Sequence, residues 1–354
     1  MNKKELIENF QIKGEVISCS PYGEGHINST FLVETTSDKY ILQRINDSIF
    51  KNVDDLMNNF EVVISFIKSK GSETIDLIPT KEGKLYYKSD KGYFRLMKFA
   101  ENTICYQEPK NLDLVRAEGE AYGNFHLLVD DLAPTKIVEI LPDFHNTEKR
   151  YHDFLDATKK ADKAKLEKAK KEIELINKYK DNYSLIYNEI KKGNINTKIT
   201  HNDTKINNIL FDKITGKYRL IIDLDTIMPG SYLFDFGDAL RSLFTGNNED
   251  SEDLSKLKVD FDIYTNFAKG YLNKMAKVLT EKEIELLPFS AYLLTIECGI
   301  RFLEDYLRGD IYFHVSKPEH NLIRAKTQLT LAKNIYDNLD KLNGITNSLI
   351  SAKE

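Results

Sequence analysis

The sequence predicts an α+β fold of two lobes, a small strand-rich one over residues 1–100 and a larger helical one over 101–354. Strand-like runs edged by glycines crowd the first lobe, and a single amphipathic helix interrupts them. From Leu112 onward nearly every periodic stretch has helical spacing.

In the first lobe a short amphipathic helix (Lys3 to Phe10) precedes strands at Thr30 to Thr35, Lys39 to Ile45 and Leu85 to Lys88, with Gly23, Gly25, Gly83 and Gly92 at or beside their turns. Between them Val53 to Lys70 spaces Val53, Leu56, Met57, Phe60, Val63, Ile64 and Ile67 at threes and fours, an apolar stripe suited to a sheet. The lobe ends near the apolar run Tyr93 to Ala100, with the crossover at Glu101 to Thr103. Helices are expected at Leu112 to Asp131, Glu148 to Tyr187, Leu254 to Val278, Glu281 to Arg308 and Asn321 to Leu342. They frame one polar region, Ile199 to Leu240, with strands at Asn208 to Phe211 and Tyr218 to Ile222, and chemistry is expected there. The lysine-rich run 159–180 intersperses Asp162, Glu167, Glu172 and Glu174, so it reads as a solvated helix face.

Bulk properties narrow the function. With 354 residues and 41% hydrophobic content, the chain can bury a substantial core around one cleft. A net charge of -5 gives no global attraction to nucleic acid or anionic lipid. Cys19, Cys105 and Cys298 lie far apart with no C-x-x-C pair, which reads as free, mostly packed thiols in a reducing cytosol. The start carries no signal-type apolar core, and no stretch is read as the roughly 20 apolar residues of a membrane helix. A cytoplasmic protein, monomeric and without nucleic-acid or membrane partners, is expected.

The strongest motif is His201, Asp203 and Asn208 in I-T-H-N-D-T-K-I-N-N-I-L-F-D. H-x-D-x-x-x-x-N is the arrangement of protein-kinase-like enzymes: the aspartate receives or orients the attacking hydroxyl, and the asparagine supplies a neutral oxygen to Mg²⁺. A buried strand then ends in Asp223-Leu224-Asp225, which sets a carboxylate on a rigid support where a hard cation wants one. In the first lobe, Tyr22-Gly23-Glu24-Gly25-His26-Ile27-Asn28 reads either as a loop covering a triphosphate or as a plain hairpin turn. Arg44 stands where a phosphate-binding strand cation is expected, with Glu61 as a possible partner, although an exposed strand arginine is the plainer alternative. Asp235 and Asp238 spell D-F-G within Phe234-Asp235-Phe236-Gly237-Asp238, but their position suggests supports of the catalytic loop or a helix start.

These elements, in this order, resemble the aminoglycoside phosphotransferase and choline kinase family, a bilobal protein-kinase-like fold. H-N-D-T-K-I-N-N-I-L-F-D, I-D-L-D-T-I-M-P-G and G-I-R-F-L-E-D-Y-L-R-G-D-I-Y-F resemble its N-acetylhexosamine 1-kinase branch, with further matching segments along nearly the whole chain. The resemblance implies ATP and Mg²⁺ as cofactors and phosphorylation of a free N-acetylhexosamine, GlcNAc or GalNAc, at its anomeric hydroxyl. It implies Asp203 as the base, Asn208 and Asp223 as metal ligands, Gly23, Gly25 and Arg44 on the nucleotide, and sugar contacts from His26, Asp203, Asp223, Arg301 and Tyr312. From the residues alone, Arg301 could instead pair with Glu304 or Asp305 along its helix.

Three rivals remain at this stage. A kinase of choline, ethanolamine, homoserine or an aminoglycoside would need an acidic or aromatic cage for its cationic substrate, harder to build with no tryptophan in the chain. A silent nucleotide-binding pseudokinase would lack the base or a metal ligand, and all three residues are present. A protein kinase would need an activation segment ending in A-P-E, and Asp223 runs instead into Thr226-Ile227-Met228-Pro229-Gly230.

Overall fold

The computed structural model describes residues 3–23, 28–246 and 249–352. Its first part is an antiparallel sheet in the order β1 (Val16–Pro21), β2 (Ser29–Thr35), β3 (Lys39–Ile45), β6 (Gly92–Lys98), β4 (Leu77–Ile78), with β5 (Tyr87–Ser89) also paired to β6. Helix α1 (Lys3–Ile7) covers one face, with Leu6 and Ile7 buried beside Leu42, Phe94 and Leu96. Helix α2 (Val53–Ser69) runs between β3 and β4. Asn52 starts it by accepting a hydrogen bond from Asp55 N at 3.2 Å, and the predicted stripe is buried throughout. Burying each of these aliphatic or aromatic side chains contributes about 1.5–3 kcal/mol.

The register of β3 on β6 sorts the side chains by face. Gln43 lies opposite Arg95 and Ile41 opposite Met97, while Arg44 lies opposite Phe94 and Leu42 opposite Leu96. Ile41, Gln43, Arg95 and Met97 line the cleft, whereas Leu42, Phe94 and Leu96 pack on the α1 side.

The crossover is itself a strand. β7 (Thr103–Ile104) joins β9 (Ile209–Asp212) and β10 (Tyr218–Ile221) in a second sheet, and β8 (Lys198–Thr200) pairs with β11 (Met228–Gly230). Helices supply the rest: α3 (Leu112–Val129), α4 (Thr147–Lys160), α5 (Lys163–Lys168), α6 (Lys170–Lys178), α7 (Leu185–Lys191), α8 (Tyr232–Thr245), α9 (Phe261–Met275), α10 (Glu281–Arg308), α11 (His320–Asp337) and α12 (Leu339–Ser351). The expected long helix over 148–187 is therefore four short ones. Ala161 is extended, and Asp162 recaps the chain by accepting from Ala164 N at 2.7 Å.

α3 and α9 cross at backbone contact. A Cβ on Gly119 would stand 2.2 Å from Phe267 O, and one on Gly270 would stand 2.1 Å from Arg116 O, so both positions demand glycine. α10 meets the length and hydropathy of a membrane span, contrary to the expectation that no stretch does. Its apolar window is 89% buried, making it the central helix of the core. A capping box fixes its start, with Glu283 N donating to Thr280 Oγ1 at 3.1 Å and Thr280 N donating to Glu283 Oε2 at 2.8 Å, and Gly309 ends it at φ 104°. The cysteines are free, but Cys105 is exposed and the other two are only partly buried.

Candidate active site

The β9–β10 hairpin explains the spacing of the motif. Ile209 pairs with Ile221, and Ile222 N donates to Asn208 O at 2.9 Å. Asn208, entering the hairpin, and Asp223, leaving it, therefore stand side by side at one end, although 15 positions separate them in sequence.

The loop between β8 and β9 is held from beneath by α8. Asp235 accepts from His201 N and Asn202 N, each at 2.7 Å, and His126 Nε2 stands 2.7 Å from the same carboxylate. Asp238 accepts from Thr204 N at 3.0 Å and from Arg241 Nε at 2.8 Å. The D-F-G-spelling aspartates thus support the catalytic loop, as the sequence predicts, and Ser231 rather than either of them caps the helix. Asn202 takes the left-handed conformation at φ 63° and is tied to Thr226 O at 2.8 Å. Tyr122 Oη donates to Lys205 O at 2.7 Å.

This scaffold presents four polar groups to a cleft of about 2510 Å³ between the first sheet and the helices. Asn208 Nδ2 donates to Asp203 O at 2.8 Å and to Asp203 Oδ2 at 3.1 Å, leaving Asn208 Oδ1 free of donors among the described residues. Lys205 Nζ lies 2.8 Å from Asp203 Oδ1. Burial and the nearby Asp238 would raise the Asp203 carboxyl, but the charge and hydrogen bond of Lys205, with the nearby His201, together hold the group below the ordinary aspartate value. Asp203 is therefore ionised at neutral pH.

Asp223 is the exception in this network. It sits at φ 59°, and among the described residues its carboxylate has neither a hydrogen bond nor an ion pair. Burial, then the nearby Asp225 and Asp203 carboxylates, push it up to about 7. An unpartnered carboxylate beside a free amide oxygen is a donor set for a hard cation, one that completes its shell with phosphate oxygens and water. No group of three His, Cys, Asp or Glu able to hold a metal occurs among the described residues, so a cation here would need ligands from the nucleotide.

The other predicted residues fall as follows. Gly23 lines the cleft at φ 75°, while Gly25 and His26 lie outside the described residues. Arg44 does not join the site: it is exposed on the sheet face opposite Gln43, and its Nε donates to Lys91 O at 2.7 Å. Glu61 is exposed on α2. The buried cation on the cleft face of the first sheet is Arg95, which lies inside the run read as apolar. Lys205 was also passed over, although it stands two residues after Asp203.

Arg301 also lines the cleft, its guanidinium 5.4 Å from the Phe144 ring and 5.6 Å from the Phe313 ring. It makes neither of the helical pairings considered above. Glu304 pairs with Arg308 at 2.8 Å, and Asp305 is committed to the next loop. Asp305 accepts from Ile311 N at 3.0 Å, Tyr312 N at 2.8 Å and Phe313 N at 2.9 Å, and Asn321 Nδ2 donates to it at 2.9 Å. This carboxylate sets Phe313 against Arg301 and leaves Tyr312 61% exposed at the cleft rim. Asp305→Asn is expected to loosen the loop, since an amide cannot accept all four donors as well as an anion does. In steady-state kinetics KM for the acceptor should rise about tenfold, in line with the loss of one charge-assisted hydrogen bond, while KM for nucleotide stays unchanged.

Comparison with known proteins agrees with this architecture. An aminoglycoside phosphotransferase from Alicyclobacillus acidocaldarius superposes with a TM-score of 0.63 at 12% identity, over 98% of this chain and 97% of that one. A microcompartment-associated aminopropanol kinase gives 0.62 at 12% identity, over 96% and 98% of the two chains. A spectinomycin phosphotransferase, solved with ADP and spectinomycin, gives 0.58 at 13% identity, over 94% and 97%. These likenesses establish the kinase-like fold. Residues 18–269, which include the hairpin, its metal-type donors and the loop beside them, match the phosphotransferase enzyme family, and the chain belongs to that family.

Proposed function

We propose that the chain transfers the γ-phosphoryl group of ATP to the anomeric hydroxyl of a free N-acetylhexosamine. The observation that carries the acceptor class is the charge around Arg301 in the cleft. A cationic acceptor, such as an amino alcohol or aminoglycoside, needs free carboxylates or an empty aromatic cage. Here Glu297 is committed to His145 Nδ1 at 2.9 Å and Thr147 Oγ1 at 2.6 Å, Asp238 is committed to Arg241, and Glu249 stands 4.0 Å from the same guanidinium. The Phe144 and Phe313 rings, which could have formed a cage, already hold Arg301. Among the described residues Arg301 forms no ion pair, although Glu297 lies near enough to feel its charge, and such a guanidinium suits the carbonyl and hydroxyl oxygens of a neutral sugar. The choice of N-acetylhexosamine and of the anomeric position rests on the resemblance of the catalytic and Arg301 segments.

The residues divide the work of a loose, charge-spreading transition state. Asp203 accepts a hydrogen bond from the acceptor hydroxyl and orients its oxygen in line with the γ-phosphorus. The new O–P bond forms as the bond to the β-phosphate oxygen breaks, ADP leaves, and the hydroxyl proton passes to Asp203. A carboxylate held below its usual value is a weak base, which fits proton transfer late in the reaction. Lys205 offsets the anionic charge of the transferred group from the acceptor side. Asn208 Oδ1 and Asp223 would hold Mg²⁺, which when bound neutralises charge on the phosphates.

A panel of free sugars and amino alcohols with Mg·ATP, read by phosphorus NMR, tests the proposal. Phosphorus coupled to the anomeric proton of GlcNAc or GalNAc is expected. Transfer to choline, ethanolamine, homoserine or an aminoglycoside with the hexosamines inert would overturn it. Arg301→Ala should raise KM for the sugar about 10- to 100-fold, the range for a lost hydrogen bond to a charged group, with little change in nucleotide affinity. An equal loss for both substrates would remove Arg301 from the acceptor site.

A further inference from the structure

The cleft face of the first sheet carries its buried cation on β6, and that cation is spent on protein. Arg95 is 1% exposed and Asp225 is 3% exposed. Arg95 Nη2 donates to Asp225 Oδ2 at 2.9 Å and Nη1 donates to Asp225 Oδ1, which makes a forked pair. The remaining edge of the guanidinium goes to Gln43 Oε1, from Nε at 2.9 Å and Nη2 at 2.7 Å. Its plane lies 4.7 Å from the Phe60 ring of α2. The same carboxylate accepts from Asn28 Nδ2, and Asn28 Oδ1 in turn accepts from Asn46 N at 3.0 Å.

Asp225 therefore gathers β3, β6, α2 and the chain entering β2 onto a single buried point. It stands two residues after Asp223, in a tight turn closed by Ile227 N on Leu224 O at 3.3 Å. Among the described residues the Asp223 carboxylate has no partner of its own to fix it. Its placement relative to the sheet must come through that turn.

We propose that Arg95 and Asp225 are positioning residues for phosphoryl transfer, locking the Asp223 carboxylate under the cleft face of the sheet so that metal and nucleotide phosphates meet at one centre. The pair does for the two halves of the site what a strand cation touching the phosphates would otherwise do. With every edge of its guanidinium engaged, Arg95 acts through Asp225 and not on the nucleotide. A lysine at 95 keeps the charge but cannot hold Asp225 and Gln43 together.

The test uses the full chain with three probes, Mg·ATP, ATP without metal, and adenosine, titrated by calorimetry without any acceptor. The sugar assignment therefore has no bearing on the result, and wild-type binding of Mg·ATP is measured first. Arg95→Lys is the conservative variant. Arg95→Met with Asp225→Leu replaces the pair by apolar side chains, a change that often restores stability in buried pairs, so melting temperature separates folding from positioning. In both variants Mg·ATP affinity is expected to fall about tenfold or more, an ordinary size for coupling between sites, while adenosine affinity stays within about twofold. The advantage of Mg·ATP over metal-free ATP should shrink by the same factor. The proposal is overturned if a folded variant binds Mg·ATP like wild type, or if adenosine and Mg·ATP weaken together. Should the double variant fail to fold, Arg95→Lys decides by the same criteria.

Discussion

Asp203→Asn is expected to abolish phosphoryl transfer, lowering turnover by about 10²- to 10⁴-fold, the contribution of a positioned acid–base group. The amide is the same size and can still bond to Asn208, so the loop should keep its shape. What disappears is the anion proposed to orient the acceptor hydroxyl and take its proton. Loss of the 2.8 Å partner also frees Lys205, so affinity for Mg·ATP should stay the same or rise slightly. Burst kinetics and calorimetry separate the two effects. Near-normal turnover would remove Asp203 from the role of base.

Asp223→Asn is expected to lower turnover on the order of 10³-fold, because several kcal/mol of charge neutralisation on the phosphates is lost. It also carries a signature in stability. The folded Asp223 carboxyl sits at about 7, against about 3.9 in an unfolded chain, so the folded state holds this proton more tightly. That contribution is fully present below about pH 4 and is lost as pH rises through about 7. Above it, a half-buried anion, unpaired among the described residues, remains, and a divalent cation relieves it. Mg²⁺ should therefore raise the melting temperature more at pH 8 than at pH 5.5, and Asp223→Asn should flatten both the pH dependence and the response to Mg²⁺. A variant that keeps the wild-type Mg²⁺ response would place the cation elsewhere.

How much of this was legible in the sequence depended on how local the cause was. α2 and α10 were read almost to the residue because their caps and apolar spacing are written in neighbouring positions. Asp203, Asn208 and Asp223 were legible because one hairpin turns their spacing into proximity. The two-residue strands β4 and β7 have too little pattern to be read, since partners elsewhere in the chain define them. The stretch 148–187 misled because its apolar periodicity continues across Asp162, where a side-chain cap breaks the helix.

Arg44 failed for a different reason. Tyr40, Leu42 and Ile45 are all buried, so apolar residues occupy both faces of β3 and the pattern does not say which face meets the cleft. A shift of one residue exchanges Arg44 for Gln43. The Arg95–Asp225 pair joins positions 130 apart, and only the fold brings them together. Arg301 was found through resemblance, but its aromatic bracket depends on Phe144 and Phe313, which no helical spacing links to it.

In the proposed mechanism Asp223 and Asn208 hold a divalent cation at the nucleotide phosphates while Asp203 serves the acceptor. Mn²⁺ in place of Mg²⁺ tests it most directly, by titrating Mn²⁺ with ATP against wild type, Asp203→Asn and Asp223→Asn and following the electron paramagnetic resonance signal of the free ion. Tight ternary binding is expected in wild type, similar binding in Asp203→Asn, and at least about tenfold weaker binding in Asp223→Asn. Equal Mn²⁺ affinity in Asp223→Asn and wild type would contradict it.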